Sequence, residues 1–174
     1  MKENEPHLSI REATAADASA IASVLHASFV EYVSSYTREA FTTTTPPQEQ
    51  FQYRMSEGPV WVALQEEVIV GTVSAVLKSQ GVYLRGMAIL PGARGQNIGV
   101  LLLEQGERRA SEHGAERMFL STTPFLAHAI RLYERFGFRR SDIGPSELFG
   151  TPLFTMIKTL EPRQVVKQSV EKER

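Results

Sequence analysis

The sequence predicts an α/β fold built on one mixed sheet, and three observations carry that reading. Apolar patterning switches between a period of two and a period near 3.6 in the order β-α-α-β-β-β-α-β-α-β-β. Three of those strands, from Pro59 to Leu90, follow one another through short turns and so form an antiparallel meander. The last strand of the meander stops at Pro91, passes through a turn rich in Gly and Arg, and enters an apolar helix that leads to another strand. Such a βαβ unit makes its two strands parallel, with a right-handed crossover.

At 174 residues the chain is long enough for one domain with a substantial core. Hydrophobic residues make up 42% and charged residues 22%, as in an ordinary globular protein. A net charge of −1 provides no global field to draw nucleic acid or an anionic membrane. The absence of cysteine removes disulfides, thiolate metal sites and Cys nucleophiles. The polar start, Met1 to Pro6, is followed by no long apolar run, so no signal peptide or membrane span is expected and a cytoplasmic protein is.

Leu8-Ser9-Ile10-Arg11-Glu12-Ala13 alternates and reads as the first strand. Thr14 and Asp17 are N-cap residues ahead of a helix from Ala18 to Tyr32, where Ile21, Leu25, Phe29 and Tyr32 recur at helical spacing. His26 in that helix reads as a surface or core-filling residue. Residues 33–59 are irregular, broken by Ser34-Ser35 and by Thr42 to Pro47, with a short helix from about Gln48 to Ser56. This stretch reads as a lid or binding wall whose aromatics, Tyr36, Phe41, Phe51 and Tyr53, either anchor the loop or line a pocket.

The meander strands are Pro59 to Leu64, Val68 to Leu77 and Val82 to Leu90. The following helix runs from Ile98 to about His113 with Gly99, Leu103, Gly106 and Ala110 on one face. A mid-helix Gly costs roughly 1 kcal/mol against Ala, so small residues on that face predict close packing on the sheet. Gly114 ends the helix, and Arg117 to Ser121 is the next strand. Phe125 to Phe136 is a helix with Leu126, Ala129, Ile130, Tyr133 and Phe136 on one stripe, ended by Gly137. Phe138 to Ile143 and Leu153 to Lys158 are the last two strands. Residues 1–160 therefore read as a single domain and 161–174 as a charged C-terminal tail.

The turn Arg94-Gly95-Gln96-Asn97-Ile98-Gly99 carries the clearest chemical signal. Gly95, Asn97 and Gly99 permit a tight turn and a close approach of backbone to ligand. Unpaired N–H groups at the helix start, with the helix dipole behind them, favour an anion, and Arg94 adds a fixed charge. A phosphate or pyrophosphate fits such a cradle. The same glycines also suit a plain βα connection.

A second stretch separates those two readings. Arg94 to Gly99 resembles the acyl-CoA-binding motif of the GNAT superfamily of N-acetyltransferases, Arg/Gln-x-x-Gly-x-Gly/Ala. Ala129-Ile130-Arg131-Leu132-Tyr133-Glu134-Arg135-Phe136-Gly137-Phe138 resembles the late helix and strand of the same superfamily, A-x-x-L-Y-x-x-x-G-F. The two motifs lie about 30 residues apart within the same element order, and the resemblance spans Leu8 to Leu160.

The resemblance implies a GNAT-like acyl-CoA N-acyltransferase fold. That fold is a seven-stranded, mostly antiparallel sheet, splayed between strands 4 and 5 and flanked by about four helices, with acetyl-CoA in the V and no metal. It implies that the backbone of Arg94, Gly95, Gln96, Asn97, Ile98 and Gly99 holds the pyrophosphate. Met87, Ala88 and Ile89, near a bulge in the fourth strand, would meet the pantetheine arm. Tyr133 would face the thioester sulfur as general acid or thiolate stabiliser. Two positions depart from the pattern. Asn97 replaces a central Gly, and because Asn tolerates φ > 0 better than most residues the turn is expected to form. Leu126 stands where many members have Asn, which removes one polar contact.

Acetyl transfer needs a neutral amine, a polarised carbonyl and a stabilised leaving thiolate. An alkyl amine has a pKa near 10.4 and must lose a proton at neutral pH. The fourth-strand position that often holds a Glu in the family is matched by Arg85, and no carboxylate lies between Val82 and Leu90, so the base is unassigned. Glu31 and His128 are titratable alternatives that read first as surface residues, and Arg85 reads as a cross-strand charge or as a holder of an anionic acceptor group. A backbone N–H near Met87 to Ile89 would polarise the carbonyl. Tyr133 also reads as a core tyrosine on its apolar stripe. The expected activity is acetyl-CoA-dependent N-acetyl transfer to a small-molecule primary amine by a monomer or homodimer, with no nucleic-acid or membrane partner. The alternative is a non-catalytic acyl-CoA-binding sensor. A dinucleotide-binding domain is disfavoured, because no G-x-G-x-x-G follows the first strand.

Overall fold

The computed structural model describes residues 5–162; residues 163–174 of the expected tail lie outside the described residues. Strand β1 (Leu8–Glu12) leads through a 3-10 turn into α1 (Ala18–Phe29), which passes into a second 3-10 turn over Val30–Ser35 where the helix was expected to continue. Two short helices follow, α2 (Arg38–Thr44) and α3 (Phe51–Glu57). The meander is β2 (Val60–Gln65), β3 (Val68–Lys78) and β4 (Gly81–Ile89), and the βαβ unit continues with α4 (Ile98–Glu112) and β5 (Arg117–Thr122). Helix α5 (Ala127–Phe136), β6 (Arg139–Ser141), a hairpin of β7 (Glu147–Leu148) and β8 (Thr151–Pro152), and β9 (Phe154–Thr159) complete the chain.

The main sheet has seven strands in the order β1-β2-β3-β4-β5-β9-β6. All pairs are antiparallel except β4 with β5. Strand β2 separates two apolar clusters. Val60, Val62 and Leu64 join Ile21, Leu25 and Phe51 on the α1 side, while Trp61 and Ala63 join Leu102, Leu103 and Met118 on the α4 side. Burial on both faces explains why this strand reads as a continuous apolar run.

Close packing of α4 on the sheet follows from its glycines. A Cβ at Gly106 would lie 2.7 Å from Leu84 Cδ2, and one at Gly99 would lie 2.5 Å from Leu132 Cδ2 on α5. The glycine that ends α5, Gly137, has φ 111°, and Phe138 N–H donates to the Tyr133 carbonyl at 2.9 Å.

Two elements depart from expectation, so the described residues hold five α-helices rather than about four. The threonine run is helix α2. Thr37 caps it by accepting from Ala40 N–H, and the hydroxyls of Thr42, Thr43 and Thr45 donate to the carbonyls four residues earlier. Those internal bonds satisfy side chains that otherwise compete with helical backbone. The β7–β8 hairpin is fastened to the start of that helix. Thr37 N–H donates to Thr151 Oγ1 at 2.9 Å, and Thr37 Oγ1 donates to the Phe149 carbonyl at 2.8 Å.

The sheet splays where the resemblance implies it. Strands β4 and β5 pair only at Val82 with Met118 and Tyr83 with Phe119. Beyond Leu84 the strands diverge and one edge of β4 faces an open V. On the other edge, Thr72 pairs with Ala88 but Ser74 with Arg85, so β4 carries one extra residue. Gly86, at φ 60°, sits in this bulge.

Candidate active site

The V is a cleft of about 1340 Å³. One wall is the free edge of β4 at Met87, Ala88 and Ile89; the floor is the turn after it, with Arg94, Gly95, Asn97, Ile98 and Gly99. Tyr133 lines the same cleft from α5. Of the expected cofactor-binding and catalytic residues, only Gln96 does not line the cleft: it is exposed and its amide is hydrogen-bonded to Gln65 of β2.

The turn takes the conformation that its composition requires. Gly95 has φ 79° and Asn97 has φ 64°, both left-handed, and Asn97 is the N-cap residue of α4. The Asn97 side chain makes no capping hydrogen bond to this helix. The first N–H groups of α4, together with the helix dipole, are therefore available to an anion. Ile98 and Gly99 are buried beneath the turn and hold it against the core. Arg94 does not project freely. Its Nη1 lies 2.7 Å from Glu31 Oε1 and its Nη2 donates to the Ser28 carbonyl at 3.2 Å.

Tyr133 is both buried and cleft-lining. Its ring meets Phe138 edge-on at 5.9 Å. Burial raises the Tyr133 phenol well above its ordinary range, and the phenol of Tyr36 adds to the rise. The hydroxyl is thus held protonated. Tyr36 lines the same cleft, and its burial pushes it up to about 12. Of the four aromatics in the 33–59 stretch, Tyr36 lines the cleft, Phe51 is core and Tyr53 is exposed. Phe41 packs against Tyr36 and His26.

Neither titratable alternative is free. Glu31 is ion-paired with Arg94, and His128 is exposed on α5 with its Nδ1 3.0 Å from Arg131 Nη2. Arg85 points into the cleft and is ion-paired with Glu57 of α3. Arg54, Tyr83 and the β7–β8 hairpin also reach the cleft, and nothing in the sequence pattern marks them.

An acyl-CoA fits this arrangement on three observations. The β4 edge is unpaired beyond Tyr83, the α4 start is uncapped, and a buried hydroxyl at the end of β5, Thr122 Oγ1, lines the cleft with no hydrogen-bond partner among the described residues. Among the described residues no group of His, Asp or Glu could hold a metal ion, and no helix is long and apolar enough to cross a membrane.

The comparisons with known proteins agree with the geometry. The fold is similar to that of PaiA N-acetyltransferase from Thermoplasma acidophilum in complex with coenzyme A, at TM-score 0.75 and 18% identity, covering 88% of this chain and 99% of that one. It is similar to Salmonella typhimurium yncA with its cofactor acetyl-CoA, at TM-score 0.69 and 22% identity, covering 93% and 98%. The sequence is 34% identical over 140 residues to the uncharacterized N-acetyltransferase YjgM of Escherichia coli (strain K12), covering 76% of this chain and 83% of that one. The model of the acetyltransferase (GNAT) family matches residues 23–138, a span that holds the meander, the anion turn and Tyr133, and the chain belongs to that family.

Proposed function

We propose that the protein transfers an acetyl group from acetyl-CoA to a small primary amine. The observation that carries this reading is that the free β4 edge, the uncapped turn and Tyr133 line one cleft. When bound, acetyl-CoA supplies an acetyl group activated as a thioester, which an amine nitrogen takes with release of the thiol. The backbone N–H groups of the Arg94–Gly99 turn hold the pyrophosphate, and the β4 edge at Met87 to Ile89 holds the pantetheine arm. A backbone N–H of the same edge stabilises the negative charge that develops on the carbonyl oxygen.

Tyr133 donates a hydrogen bond to the departing sulfur. Its phenol is raised by burial, so it acts mainly by stabilising the thiolate rather than by transferring its proton outright. Glu31 and Glu57 are ion-paired with arginines and do not line the cleft, so the amine gives up its proton to solvent or to Glu147 of β7, the carboxylate that lines it.

The test is thiol release from acetyl-CoA over a panel of amines, amino acids, peptides and aminoglycosides. Amine-dependent release with a small acceptor is expected. Calorimetric binding of acetyl-CoA with no release on any acceptor would replace this reading with that of an acyl-CoA sensor. Labelling of a protein extract without turnover of small amines would overturn the small-acceptor part.

A further inference from the structure

We propose that Arg54 and Arg85 form an anion-recognition subsite beside the β4 bulge, and that the acceptor is an amine carrying a carboxylate, such as an amino acid. The amine part of this statement rests on the acyl-transfer reading of the same cleft; the anion part does not.

Both guanidiniums line the cleft, one from α3 and one from β4. A single carboxylate serves them. Glu57 is ion-paired with Arg85, and among the described residues Arg54 has no ion-pair partner. Arg54 is held in place by packing. Its guanidinium lies 5.8 Å from the centre of the Phe51 ring, and its Nη1 occupies the space beside Gly86, where a Cβ would lie 3.2 Å away. Gly86 therefore does two things: its left-handed backbone makes the bulge, and its missing side chain admits Arg54 to the cleft.

Among the described residues, Arg54, Arg85 and Glu57 leave one guanidinium without an ion pair, and the carboxylate that lines the cleft, Glu147, is ion-paired with neither arginine. Burial, and then the charge of Arg85, lower the pKa of Arg54, while Tyr83 and Glu57 act in the opposite direction without cancelling them. Arg85 Nε is also buried without a partner. A cation desolvated without a partner is unfavourable, and the fork of a guanidinium matches a carboxylate in a two-point hydrogen bond. One guanidinium without an ion pair suits a monoanion better than a phosphate dianion. Tyr83, stacked on Phe119 with centroids 5.2 Å apart, forms an aromatic wall beside the subsite for the acceptor's body.

The test separates binding from turnover. The CoA-loaded protein is titrated by calorimetry with the N-acetylated standard amino acids and with their amides. At least one acid should bind about tenfold or more tightly than its amide, and Arg54→Gln should erase that difference, with Arg54→Lys intermediate. Equal binding of acids and amides, binding of neither, or a preference that survives Arg54→Gln overturns the subsite. Thiol release with the free amino acids is read in parallel. Acid-selective binding without turnover would keep the subsite and overturn acyl transfer. Turnover of neutral amines without acid preference would keep acyl transfer and overturn the subsite.

Discussion

The Arg94 guanidinium lies 2.7 Å from the Glu31 carboxylate, tying the anion turn to the 3-10 turn that follows α1. Its charge is already partly answered, so anion binding in the turn falls mainly to backbone N–H groups. Half-exposed ion pairs of this kind are worth about 0–1 kcal/mol. Arg94→Ala should therefore weaken acetyl-CoA by no more than about tenfold in calorimetry. Glu31→Gln should leave the shape of the pH–rate profile unaltered. Loss of all binding in the first variant would show that the side chain, not the backbone, carries the anion.

Tyr133→Phe removes the hydroxyl and keeps the ring that packs on Phe138. Turnover should fall about 10²-fold, the lower range for loss of an acid group, while acetyl-CoA affinity changes less than about twofold. The raised phenol also sets a sign. Tyr133 stays protonated through neutral and mildly alkaline pH, so no fall in rate below about pH 10 should trace to its ionisation. A wild-type alkaline limb that vanishes in the Phe variant would contradict this.

Asn97 adopts φ 64°, a region that costs most L-residues roughly 1–2 kcal/mol. Asn97→Gly should preserve or tighten acetyl-CoA binding, since Gly holds that conformation without penalty. Asn97→Ala should weaken binding and lower the melting temperature. A large loss of affinity in the Gly variant would mean that the Asn side chain itself contacts the ligand.

Asp17 closes a capping box at the start of the first helical segment. Its carboxylate accepts from Arg11 Nη1 at 2.7 Å, from Arg11 Nη2 at 3.0 Å and from Thr14 N–H at 2.8 Å. The Arg11 hydrogen bond holds its pKa well below the usual carboxylate range, to about 2. The folded value is depressed, so this stabilisation is complete above about pH 4 and fades as pH falls through 2. Loss of such a cap costs about 1 kcal/mol, so Asp17→Asn should melt about 2–4 °C lower at pH 7. The gap between variant and wild type should close between pH 4 and pH 2. A gap that does not change with pH would contradict the ion-pair account.

What the sequence alone determined is local in origin. Period-two and period-3.6 patterning set the strands and the long helices, and Gly137 and the Gly95–Asn97 turn mark positions where the backbone must turn left-handed. These signals lie within a few residues of one another, so residue type and spacing suffice. The motif resemblance added Tyr133 and the splay, and the tertiary structure then placed both at one cleft.

What only the tertiary structure decided depends on partners distant in the chain. Helix α2 reads as a loop because threonine disfavours helix, yet internal hydroxyl bonds and the Thr37–Thr151 contact, 114 residues apart, hold it. Gln96 sits within the motif but turns outward to Gln65. Arg85 pairs with Glu57 across 28 positions, and among the described residues Arg54 forms no ion pair. Which acid meets which base follows from sheet register and from how α3 lies on the sheet. No local pattern encodes that choice among chemically equivalent charges, and it is what makes one arginine of the pair available to a ligand.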